Sequence, residues 1–217
     1  MAAAQCTHQS SRLALVYKVL RPLLLTVLCI GANGCKREGS PGDDFDFRLG
    51  HWTVEITSRE TGKGPVTRQQ ETVGRWREKG KSVEAISELT SAEGQVLLLK
   101  HMVVTFDAGL SCYVDTSELS NGAKMIHHTA WDETNGVFTM QQISPEPAKG
   151  SQNISTATRV DKDNFVLASE EKSFGGVTVG SATGKKTRIG KADDARFEQL
   201  EKKFAAWRAK AAAAKKK

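Results

Sequence analysis

The chain has 217 residues, 39% hydrophobic and 26% charged, with 19 Gly and 5 Pro, usage that excludes a disordered or collagen-like chain. Its formal charge of +6 divides into +3 over residues 1–34, −2 over 35–190 and +5 over 191–217. The central stretch therefore lacks the basic excess that a nucleic-acid surface needs on one face, and no nucleic-acid partner is expected.

At the N-terminus, Arg12, Lys18 and Arg21 precede the apolar run Leu23 to Ile30, which ends in Gly31, Ala32, Asn33 and Gly34 just before Cys35. A positive flank, a short apolar centre and a small-residue exit are the parts of a secretory signal. The run is about half the roughly 20 residues that cross a bilayer, which disfavours a permanent transmembrane helix. Gly34-Cys35 resembles the lipobox of bacterial lipoproteins, with Ala32 standing where Leu is usual. The resemblance implies that Cys35 is the lipid-bearing mature N-terminus and that the protein sits in the cell envelope, on the periplasmic or extracellular side of a membrane. A signal cleaved near Ala32 or Gly34 without acylation, or an uncleaved anchor, are the alternatives. Residues 35–44, with Gly39, Pro41 and Gly42 among charged neighbours, have the chemistry of a linker.

From residue 45 to about 190 the pattern is short stretches of period two, as in Trp52-Thr53-Val54-Glu55-Ile56-Thr57, where one strand face meets a core. Similar stretches fall near 66–76, 81–89, 95–106, 110–119, 123–131, 137–143, 151–160, 164–171 and 176–189. Between them stand turn sequences such as Thr61-Gly62-Lys63-Gly64-Pro65, Asn121-Gly122 and Asn135-Gly136; Asn-Gly is a strong hairpin signal because both residues accept positive φ. About nine or ten strands without intervening helical periods predict an all-β, antiparallel meander, and closure into a barrel removes its exposed edges.

Residues 191–217 differ in kind. Asp193 or Asp194 can cap a helix in which Phe197, Leu200, Phe204 and Trp207 form one stripe, and the opposite face is charged. Docking of that stripe on the barrel is expected; a membrane-surface helix and a partner-binding helix are the alternatives.

The opening Leu49-Gly50-His51-Trp52 resembles the Gly-x-Trp start of lipocalin-like barrels. Together with Glu71-Thr72, Arg75-Trp76, Thr105-Phe106-Asp107, Thr129-Ala130-Trp131-Asp132 and Asp163-Asn164-Phe165, it makes residues 45–189 similar to a bacterial family of lipocalin-like (calycin-type) secreted or lipid-tethered domains, the domain of unknown function 1579. The resemblance implies a lipocalin-like barrel of 9–10 strands and brings no established chemistry.

Four cysteines show no zinc or CxxC spacing, and no GxSxG or HExxH occurs, so no catalytic residue, metal or cofactor is assigned. His127 and His128 are neighbours on one predicted strand and point to opposite faces, so they cannot chelate one metal together. His51, opposite Trp52, is expected to face solvent. Glu84 and Glu88 share a face and read as solvated surface. Ser181 to Lys186 lacks full P-loop spacing and reads as a hairpin turn. Trp52, Met125, His127 and Trp131 lie on apolar strand faces and are the candidate lining of an interior cavity for a small or apolar ligand. The rivals are a non-catalytic scaffold working through the C-terminal helix and, third, an enzyme or haem-binding barrel.

Overall fold

The computed structural model describes residues 45, 47–146, 151–173 and 176–214; the stretch expected to be an export signal, Cys35 and the residues expected to form a linker lie outside the described residues. Ten antiparallel strands make a closed barrel: β1 (Gly50–Glu60), β2 (Val66–Glu78), β3 (Ser82–Ser91), β4 (Val96–Asp107), β5 (Cys112–Leu119), β6 (Lys124–Asp132), β7 (Val137–Ser144), β8 (Gln152–Arg159), β9 (Asn164–Lys172) and β10 (Thr178–Gly190). Each strand pairs with its sequence neighbour, and β1 pairs with β10, from His51 opposite Gly190 to Glu60 opposite Gly180, so no edge is left unpaired. The segment Ser181 to Lys186, expected to be a turn, is instead the middle of β10. Its Gly184 lets two backbones meet, because a Cβ there would lie 2.6 Å from the carbonyl oxygen of Glu55.

One end of the barrel is filled with aromatic rings. Before β1, Phe45 and Phe47 turn into the barrel: Phe45 meets Trp76 and Tyr113 edge-on at 5.3 and 5.0 Å, and Phe47 stacks on Phe138 at 4.5 Å. Trp52 is fully buried among them and its Nε1 donates to the Leu49 carbonyl at 2.9 Å. The inserted segment runs so close to β2 that a Cβ at Gly74 would lie 1.9 Å from the Arg48 carbonyl oxygen. Any side chain at that position would push the plug out of the floor.

The helix α1 (Asp194–Ala214) starts where Asp193 accepts a hydrogen bond from the Arg196 amide at 3.0 Å, the N-cap contact that satisfies an otherwise orphaned N–H. Phe197, Leu200 and Phe204 are buried against the outward-facing Val73, Ile86 and Leu99 of β2, β3 and β4, with Trp207 packed at the margin. Charged pairs flank this contact: Arg196 binds Glu71, Lys203 binds Glu88 and Arg208 reaches Glu118 at 2.8 Å. Glu84 and Glu88 are thus paired residues and not freely solvated ones, since Glu84 also holds Arg75 at 2.8 Å. His51 does not face open solvent either; its Nε2 lies 2.7 Å from Glu71 Oε1. No helix among the described residues is long and apolar enough to cross a membrane.

Candidate functional site

Period-two alternation decides which side chains enter the barrel, and their sizes decide where space remains. Strands β8 to β10 turn Ser155, Ser169, Ala182 and Gly184 inward above the floor, and such small residues cannot reach the opposite wall. A cavity of about 290 Å³ results, with a lining that includes Ile56, Leu167, Met102 and Met140. That volume is close to the lower end, roughly 300 Å³, of small-molecule sites.

The opposite wall is polar. From β2 to β6 it presents Thr72, Ser87, Lys100, Asp115 and His127, joined from the floor by Arg48 and Lys186. Thr72 and Ser87 share a hydrogen bond of 2.9 Å, and Asp115 opposes His127 across the β5–β6 ladder. Arg48 Nη2 donates to Asp115 Oδ2 at 3.1 Å, and Ser117 Oγ donates to Asp115 Oδ1 at 2.8 Å. The guanidinium also meets soft sulfur, Nη2 at 3.5 Å from Met140 Sδ and Nη1 at 3.7 Å from Met102 Sδ.

Lys186 is the deepest cation. Its Nζ donates to the Phe47 carbonyl at 2.6 Å and sits over the rings of Phe47 and Trp52, 3.8 and 4.3 Å from their centroids. Burial holds its ammonium well below the ordinary lysine range, and the positive charges of Arg48, Arg188 and Lys100 push the same way. Burial also lowers Lys100, with Asp115 opposing and Arg48 assisting. Lys100 Nζ forms no hydrogen bond or ion pair among the described residues. His127 is lowered by burial, against the attraction of Asp115, which leaves its ring neutral at pH 7.

Of the four residues expected to line a cavity, the structure brings only His127 onto its wall. Trp52 and Trp131 share the inward face but belong to the floor: Trp131 stacks on Phe138 at 4.2 Å and carries Arg159 over its ring. Met125, paired with Ser117 in the ladder, is half-buried and outside the cavity lining. Sequence reasoning missed Arg48, Lys100, Asp115 and Lys186. Three of them had a signal: Lys100 alternates with Met102 and Val104, Asp115 with Tyr113, and Lys186 with Gly184 and Ala182, so each was in the inward register. Among the described residues no group of three His, Cys, Asp or Glu side chains could hold a metal ion.

No protein-family model matches the chain, and neither does any curated protein. Among solved structures, Rv2717c from M. tuberculosis superposes with a TM-score of 0.51 at 14% identity, covering 69% of this chain and 98% of that one. The barrel is lipocalin-like in architecture. At that identity the likeness shows the fold alone. The S-type phycobiliprotein lyase CPES from Guillardia theta (TM-score 0.45, 12% identity, 67% of this chain and 91% of that one) and EF1p2_mFAP2b bound to DFHBI (0.34, 13%, 69% and 98%) are looser likenesses and add nothing to it.

Proposed function

We propose that this protein is a non-catalytic, small-molecule-binding barrel of the cell envelope, held at a membrane through lipid on Cys35. The interior cavity carries this reading: about 290 Å³ between a wall of small, uncharged side chains and a charged polar wall, above a floor already closed by aromatic rings. Under-filled space of this size sacrifices packing that larger side chains at Ala182 or Ser169 would supply, which makes sense where a ligand supplies it instead. The scaffold alternative loses its working surface, because the apolar stripe of α1 is spent on Val73, Ile86 and Leu99. Membrane attachment rests on the signal-like run and Gly34-Cys35 of the sequence.

Binding is tested with the neutral probe N-phenyl-1-naphthylamine, whose fluorescence rises in apolar surroundings. Wild type should bind it, and Ala182→Phe, which fills the cavity, should lose most of the signal while staying folded. Equal probe binding by both proteins would place the site elsewhere and remove the proposal. Attachment is tested separately: labelled palmitate should enter wild type and not Cys35→Ala, and a wild-type protein that never takes up label is not a lipoprotein.

A further inference from the structure

The charges inside the barrel do not balance. Arg48, Lys100 and Lys186 point into one cavity, and Asp115 is the only carboxylate among its described lining residues. Two of the three cations are already employed. Arg48 is held by Asp115 and two methionine sulfurs, and Lys186 by the Phe47 carbonyl and the aromatic cage. Asp115 already accepts from Arg48 at one oxygen and from Ser117 at the other, and it attracts Lys100 only through space, with no hydrogen bond or ion pair between them. Lys100 thus brings an ammonium without a hydrogen-bond partner to the polar wall, opposite Ser87 in the β3–β4 ladder. A cation facing a low-dielectric space gains most from an anion that displaces water and bonds to it directly.

Resting on the small-molecule reading, we propose that the ligand is a small organic carboxylate, its anionic group seated on Lys100 beside Ser87 and its apolar body against Ile56, Leu167 and Ala182. The two walls match the two ends of such a molecule. Arg48 adds positive potential from the floor without contacting the anion, and the neutral His127 imidazole offers a hydrogen bond without a competing charge. A simple cation is repelled, and a neutral molecule of equal size leaves Lys100 without a partner.

The test is a matched pair, 2-naphthoate and 2-naphthamide, titrated into the full chain by calorimetry at pH 7. Wild type should bind the carboxylate at least about tenfold more tightly than the amide, the factor expected of one charge-assisted hydrogen bond. Lys100→Met should erase that difference, and Lys100→Arg should keep most of it. Equal affinities in wild type, or a preference that survives Lys100→Met, would overturn the charge proposal. Should Lys100→Met fail to fold, the wild-type pair decides alone. If N-phenyl-1-naphthylamine binds and the carboxylate is not preferred, only the charge proposal falls; if neither naphthalene ligand nor the neutral probe is held, the binding reading falls with it.

Discussion

The outside of the barrel beneath α1 and its interior use charge in opposite ways. Outside, beneath α1, carboxylates and cations are matched: Glu71 with Arg196, Glu84 with Arg75, Glu88 with Lys203. Inside, Asp115 is the only carboxylate among the described residues lining a cavity that also holds Arg48, Lys100 and Lys186. Matched pairs at a half-exposed seam orient a helix, whereas a half-buried cation without a protein partner keeps its donors for water or for an anion. The outer face is therefore finished structure, and the inner face is where the proposed ligand would sit.

The sharpest way to break that contrast is to remove the Asp115 carboxylate. Asp115→Asn leaves Arg48 buried without its counter-charge and should cost about 3–5 kcal/mol in denaturant unfolding, the range for breaking a buried ion pair. A loss below 1 kcal/mol would mean that the interior is wet enough to make its charges unimportant. Leu200→Ala opens a hole between α1 and the barrel and should cost about 2–5 kcal/mol, with cavity-probe binding retained because the seam lies outside the barrel. Loss of probe binding in that variant would tie the helix to the site. Glu71→Gln should cost only about 1 kcal/mol, since the Glu71 and Arg196 side chains keep 25% and 29% of their exposure and solvent screens them.

The smallest effect concerns pH. Lys186 has a folded pKa below its unfolded value, so the unfolded chain binds the proton more tightly and stability rises with pH towards about 10.4, the unperturbed lysine value. Subtracting the pH profile of Lys186→Met from that of wild type should leave a positive slope over the alkaline range. A flat difference would show that Lys186 keeps an ordinary pKa in its aromatic cage.

Much of the scaffold was legible in the sequence because period-two alternation, clearest in β1, recurs along the chain and Asn121-Gly122 and Asn135-Gly136 mark turns between strands. The helix stripe was equally plain, since Phe197, Leu200 and Phe204 recur at helical spacing and nothing competes for that face. The site was not. Trp52 and Trp131 read as cavity walls because they are large and inward, but large aromatic side chains fill space, and the void forms where Ser169, Ala182 and Gly184 are small. Arg48 lies in the plug before β1, where no strand register applies, so its inward aim depends on the backbone insertion that Gly74 permits. Lys100, Asp115 and Lys186 were in inward register, yet a charge in a strand normally marks the solvent face, and only closure of the barrel turns them towards one another.

The most direct measurement is methyl NMR of the methionines while N-phenyl-1-naphthylamine is titrated in. Met102 and Met140 line the cavity and Met125 shares the inward face outside it. Binding inside the barrel predicts large, saturable shifts at Met102 and Met140 and a much smaller one at Met125. Probe fluorescence that saturates while Met102 and Met140 stay unmoved would contradict an interior site.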